Sequence, residues 1–178
     1  MSVYKPFPGN NKFILVIVDD FSRYAKTYYL KHKSEAGDGL EKFIKHIRNL
    51  IGYDAKMCYV RADNAKELVG GRFLEVMSKE GSEQDFAPTY TPRLNGTSER
   101  FNETIRIKAR AFMIDSGIPV TMWILAVEDA CRIYNLTPHK SNDFVNPLMK
   151  LAPNKKDKLE AIKRLGCIAY AKISNPET

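Results

Sequence analysis

Phe13-Ile14-Leu15-Val16-Ile17-Val18 is an unbroken apolar run, rich in β-branched residues, that stops at the polar turn signal Asp19-Asp20-Phe21-Ser22-Arg23. It is far too short to cross a bilayer, which takes about 20 residues. Its composition favours a strand over a helix. An apolar strand without polar alternation is of the buried type, which belongs in a sheet covered on both faces. Ala25 to Leu30 follows at hairpin distance as a second strand.

The rest of the chain supplies the cover. Leu40, Phe43, Ile44, Ile47 and Leu50 recur at three- and four-residue spacing, so about Ser34 to Ile51 is an amphipathic helix that Gly52 stops and that Gly37 and Gly39 weaken in its first turn. Met57 to Ala62 reads as a third strand delivering Asp63 at its C-terminal edge, and Phe73, Val76 and Met77 outline a short helix ending at Gly81. A short strand around Gln84 to Ala87 comes next. Two prolines and an Asn-Gly pair make Pro88 to Gly96 an irregular loop, with Thr97 or Ser98 capping the helix beyond it. After the break at Gly117-Ile118-Pro119, another helix carries Trp123, Ala126 and Ala130. Prolines keep the chain irregular from Asn135 onward, and Leu165 to Ile173 is a candidate last strand. A hairpin followed by β-α alternation defines a mixed sheet flanked by helices, and an RNase H-like α/β fold fits it.

Charge narrows the partners. With 28 Lys and Arg against 21 Asp and Glu, the net charge of +7 favours polyanions, nucleic acid first. Cys58, Cys131 and Cys167 are widely spaced and no two form a Cys-x-x-Cys pair, which argues against a disulfide framework or a zinc ribbon. Cys58 and Cys131 read as small buried hydrophobes. The N-terminus has no signal-peptide pattern and no stretch suits a membrane, so an intracellular protein without membrane partners is expected.

Asp63 and Glu99 stand 36 positions apart, one at a strand end and one near the start of a long helix. α/β folds gather metal-binding oxygens at such ends, and hard carboxylates there suit divalent metal and phosphodiester chemistry. Phe101, Ile105, Ala109 and Phe112 form the apolar stripe of that helix, while Glu99, Glu103, Arg106 and Arg110 share its other side. Acid then arginine along one face suits a metal site beside a phosphate backbone. A solvated face with Glu-to-Arg pairs gives the same pattern.

Eight segments now fall in order: Asp19-Asp20-Phe21-Ser22-Arg23-Tyr24, Lys33-Ser34-Glu35, Arg61-Ala62-Asp63-Asn64, Tyr90-Thr91-Pro92, Asn95-Gly96 with Glu99-Arg100-Phe101-Asn102, Trp123 with Ala126 and Ala130, Asn135 with Pro138, and Leu165-Gly166-Cys167-Ile168-Ala169-Tyr170. Together they resemble the integrase core of a copia-type retrotransposon Pol polyprotein, over nearly the whole chain. The resemblance implies an RNase H-like core over 1–138, its first strand truncated or altered, with 139–178 as a C-terminal extension. It implies trimming of element DNA ends and their joining to target DNA with magnesium or manganese, by a homo-oligomer acting in the nucleus. Asp63 and Glu99 correspond to the second and third acids of the family's catalytic triad. Asn64, Asn95, Gly96, Arg106 and Arg110 would lie against DNA, with Asn95 and Gly96 in a loop before the catalytic helix.

The pattern also breaks in places. Aligned on Pro6, Ser2 stands where the first acid is expected, and a neutral hydroxyl is a poor substitute for a bridging carboxylate. Lys5 replaces a glycine, Ala65-Lys66 replace a Gly-Gly pair, Arg93-Leu94 replace glutamines, and Leu136 replaces an arginine. The family's zinc-binding domain is expected to be absent, since the three cysteines here supply no such site. The expectation is an excised or degenerate core with impaired catalysis, or a domesticated module that keeps the fold without the chemistry. Asp19 and Asp20 are expected to form the hairpin turn, pairing with Arg23, with a metal-ligand role as the alternative.

Overall fold

The structure is a computed structural model that describes residues 10–62, 71–86, 92–155 and 162–170, giving the backbone alone at 62, 84–86, 92–95 and 97. Strands β1 (Phe13–Val18) and β2 (Ala25–Leu30) form the expected antiparallel hairpin, with Phe13 opposite Leu30 and Val18 opposite Ala25. The turn between them is closed by side chains. The Asp19 carboxylate accepts from the Ser22 amide at 2.8 Å and the Ser22 hydroxyl at 2.6 Å, while Asp20 pairs with Arg23. Arg23 adopts φ +62°, a left-handed conformation this bonded turn holds in place.

The hairpin is covered on both faces, which explains why β1 needs no polar alternation. Ile14, Val16, Val18, Ala25 and Tyr29 pack toward α3 (Pro92–Ser116) and α4 (Trp123–Leu136), against Phe101, Ile105, Trp123 and Ala126. Phe13, Leu15, Ile17, Tyr28 and Leu30 pack toward α1 (Ala36–Ile51) and α2 (Arg72–Glu80), against Leu40, Ile44, Phe73 and Met77. Trp123 is a core residue, as its place on the apolar stripe predicts. Its indole Nε1 and the Tyr28 hydroxyl are buried without a hydrogen-bond partner among the described residues.

Gly37 and Gly39 are contact residues rather than weak points. A Cβ on Gly37 would stand 2.6 Å from the Arg72 carbonyl carbon, and one on Gly39 would stand 2.5 Å from Leu15 Cδ2. Their missing side chains let α1 touch α2 and β1. Arg72 rims this seam with ion pairs to Asp38, Glu41 and Glu75, and Arg48 pairs with Glu80.

Strand β3 (Tyr59–Ala62) starts two residues later than expected and runs parallel to β4 (Glu83–Phe86), Tyr59 opposite Glu83. Cys58, expected to be buried, is exposed, as is the neighbouring Tyr59 at this end of the two-stranded ladder; Cys131 is buried as expected. The loop expected over Pro88 to Gly96 needs a larger correction, since α3 already begins at Pro92. Proline is favoured at the first helical position, where its fixed φ suits the helix and its missing N–H forms no intrahelical bond anyway. Asn95 and Gly96 therefore sit inside the helix, and neither Thr97 nor Ser98 caps it.

Beyond Asn135, where irregular chain was expected, the structure has a 3₁₀ turn (Lys140–Asn142) and a short helix, α5 (Pro147–Leu151). Pro147 again opens a helix, and the Asn146 side chain caps it by accepting from the Met149 amide at 2.8 Å. Asn142 is buried and donates to the Ser22 carbonyl, and Leu148 joins Tyr24 and Leu136 in a small third cluster. The expected last strand is not formed over Leu165–Tyr170, which is largely exposed and held through Arg164, whose guanidinium bonds both carboxylate oxygens of Asp115. No helix among the described residues is long and apolar enough to cross a membrane.

Candidate metal and nucleic-acid site

Helix α3 is the element that carries the candidate site. Phe101, Ile105 and Ala109 are buried against α4 and the hairpin, and that fixes the helix rotation. Glu99, Glu103, Arg106 and Arg110 are consequently exposed on the outer face, as their spacing requires. Within that face Arg106 Nη2 donates to both Glu103 carboxylate oxygens at 2.8 Å, so the solvated Glu-to-Arg pairing is realised for this pair. Arg110 makes no ion pair with any described residue. At the start of the helix, Arg100 Nε donates to the Gly96 carbonyl at 2.8 Å.

β3 leads toward the other half of the candidate site: the described part of the strand runs to Ala62, and Asp63 is the next residue in the sequence. Asp63 and Asn64 themselves lie outside the described residues, as does Ser2. Among the described residues no group of three or more His, Cys, Asp or Glu side chains is placed to hold a metal ion. Asp19 and Asp20 are committed to the hairpin turn through Ser22 and Arg23, which is the structural role expected of them.

Electrostatics elsewhere on these helices is dominated by burial. Lys108, one turn beyond Thr104 on α3, lies 5.9 Å from the Tyr134 ring centroid, and burial holds its ammonium pKa below the usual value. Burial likewise raises the Asp129 carboxyl on α4, with Arg132 pulling the other way. His139, a loop histidine, packs its ring at a tilt against Tyr134 with centroids 4.2 Å apart and engages the Tyr134 carbonyl through Nε2 at 2.9 Å. In the basic stretch from Lys155 to Arg164, the described cations Lys155, Lys163 and Arg164 are exposed, and Arg164 is bonded to Asp115.

Sequence reasoning singled out Asn135 only as part of a motif. Its side chain accepts from the Ala25 amide at 2.9 Å and donates to the Ala25 carbonyl at 2.8 Å, and Cys131 Sγ donates to the same carbonyl at 3.3 Å. The readable signal was a polar residue four positions beyond Cys131 on an otherwise apolar helix face. Asn142 offered no comparable signal, since nothing local marks it as buried.

These elements define an α/β fold of the integrase catalytic-core type. A chain of the simian T-cell lymphotropic virus intasome in complex with the PP2A regulatory subunit B56 gamma superposes with a TM-score of 0.65 at 18% identity, over 93% of this chain and 54% of that one. The HTLV-2 integrase catalytic core domain, solved in complex with magnesium in a trimeric form, gives a TM-score of 0.57 at 18% identity, over 75% and 80%. In sequence, the chain is similar to a segment of copia-type Pol polyproteins, as the residue motifs implied. It is 31% identical over 165 residues to the retrovirus-related Pol polyprotein from transposon TNT 1-94 of Nicotiana tabacum, and 29% identical over 164 residues to that from transposon RE2 of Arabidopsis thaliana. The alignments cover 93% and 90% of this chain but only 12% and 11% of those polyproteins. No family model matches the chain.

Proposed function

We propose that this chain is a DNA-binding integrase core descended from a strand-transfer enzyme, with impaired phosphodiester chemistry. The observation that carries the reading is the division of α3. Its apolar stripe is locked into the core, and its Glu99-to-Arg110 face is left to solvent on a fold shared with integrase cores. Net charge +7 supports a polyanionic partner.

Asp63 and Glu99 would supply the metal-binding oxygens, with Asn64, Asn95 and Gly96 near the DNA strand. Two carboxylates offer hard donors for magnesium or manganese but fall short of the set that two cations need, which includes a bridging acid. Bound there, such a cation would stabilise the charge that builds on the oxygens at a reacting phosphorus. The first acid is the missing part, because Asp19 and Asp20 are occupied in the turn and Ser2 is neutral. Element ends and target DNA would be the substrates and the nucleus the place of action, and the assembled states of the structural neighbours support a homo-oligomer.

A strand-transfer assay on labelled element-end DNA with magnesium tests the reading. We expect little product from the natural chain, a gain of at least tenfold from Ser2→Asp, and loss of that gain in Ser2→Asp/Glu99→Gln. No gain, with DNA binding retained, would instead favour a non-catalytic nucleic-acid-binding or dimerisation module.

A further inference from the structure

Along the outer face of α3 the charges run Glu99, Glu103, Arg106, Arg110, and the two central ones are bonded to each other through a bidentate contact at 2.8 Å. Both partners are 56% exposed, so the contact is a surface device and not part of the core. Arg110, one turn beyond Arg106, repels it, and Glu103 on the opposite side draws it away. A phosphate approaching Arg106 also meets the Glu103 carboxylate. Arg110 is exposed and has no carboxylate within ion-pair distance among the described residues.

We infer that Glu103 withholds Arg106 from nucleic acid, so that Arg110 is the phosphate-neutralising cation of this helix face. The inference rests on the proposed DNA-binding reading and assigns two residues opposite effects within it. Glu103 weakens binding by cancelling a neighbouring charge. Arg110 stands about 16 Å along the axis from Glu99, at about 1.5 Å rise per residue. It therefore holds a flanking stretch of backbone and not the phosphate at Glu99.

Counterion release provides a readout that counts neutralised phosphates, since each one contributes about 0.9 to the slope of log affinity against log salt. The test is fluorescence anisotropy of the full chain on a DNA duplex between about 50 and 200 mM sodium chloride without divalent cation, the range over which one such contact is worth roughly a 3.5-fold change in affinity. Arg110→Ala should lower the slope by about 0.9, and Arg106→Ala should leave it nearly unchanged. Glu103→Gln should raise the slope by a similar amount and tighten binding, and adding Arg106→Ala to it should remove that gain. All three substituted positions are on a solvent-exposed face, and an unchanged far-UV circular dichroism melt of each variant confirms that the helix is kept. The inference is overturned if Arg106→Ala costs as much slope as Arg110→Ala, or if Glu103→Gln changes nothing. A natural chain that shows no salt-dependent DNA binding sinks the broader reading along with it, and so the two failures are told apart.

Discussion

Asn135 does at Ala25 what a neighbouring strand would otherwise do. Its amide satisfies both the N–H and the C=O that this end of β2 turns away from β1. Removing it leaves the buried Ala25 N–H unpaired, at about 1 to 3 kcal/mol, and leaves the Ala25 carbonyl only the weaker Cys131 thiol. Asn135→Ala should therefore lower the urea midpoint by an amount equivalent to at least about 1 kcal/mol. An unchanged midpoint would show that water replaces the amide. His46 sets a pH dependence of its own. Burial, with Lys26 adding to it, holds its pKa below the ordinary 6.5 while Nε2 engages the Tyr24 hydroxyl at 2.8 Å. The unfolded chain then takes up the proton first, so this contribution is complete above about pH 6.5. It is lost as pH falls from there through the lower folded-state value. Urea midpoints at pH 7 and pH 5.5 should differ more for the natural chain than for His46→Gln, and equal differences would exclude His46 as the cause.

At the scale of elements, periodicity revealed most of what folds. The β1 run, the α1 and α4 stripes and the Phe101, Ile105, Ala109 row all follow from spacing alone, because burial on one face imposes a repeat that the sequence displays. What spacing could not reveal was context. Pro92 and Pro147 look like breakers in the sequence, yet both stand at the first turn of a helix, where the same ring is favourable. Gly37 reads as a weak helical residue until Arg72 and Phe73 are seen against it. That difference has a measurable sign. On propensity alone, Gly37→Ala would stabilise α1 by about 1 kcal/mol. The 2.6 Å approach to a backbone atom predicts net destabilisation instead, about 1 to 3 kcal/mol for overpacking. Gly39→Ala meets the end of a leucine side chain and should cost less. Thermal melts of the two variants decide the order.

For the whole molecule, the site was legible where it depended on linear spacing and illegible where it depended on the surroundings of a side chain. Asp63 and Glu99 stood out because 36 positions, a strand end and a long helix can be read from letters. The Glu103–Arg106 contact could be foreseen only as one of two equal outcomes, since rotamers decide it. Chelation separates the two layers of the proposed function. EDTA should abolish any strand transfer recovered in Ser2→Asp and leave salt-dependent DNA binding intact, because phosphate neutralisation by arginine needs no divalent cation. Loss of binding on chelation would place the cation in the binding interface itself.

The ties from Asn135 to Ala25 and from Asn142 to Ser22 join residues 110 and 120 positions apart. Such contacts reward the chain only after a very long loop has closed, so they belong to the last stage of folding. Their loss should appear mainly as faster unfolding, with the refolding rate of Asn142→Ala close to that of the natural chain. The hairpin turn with the start of β2, and the segment from the end of α4 to the 3₁₀ turn, thus act as a late latch, and the lifetime of the native state, more than the speed of reaching it, depends on two asparagine side chains.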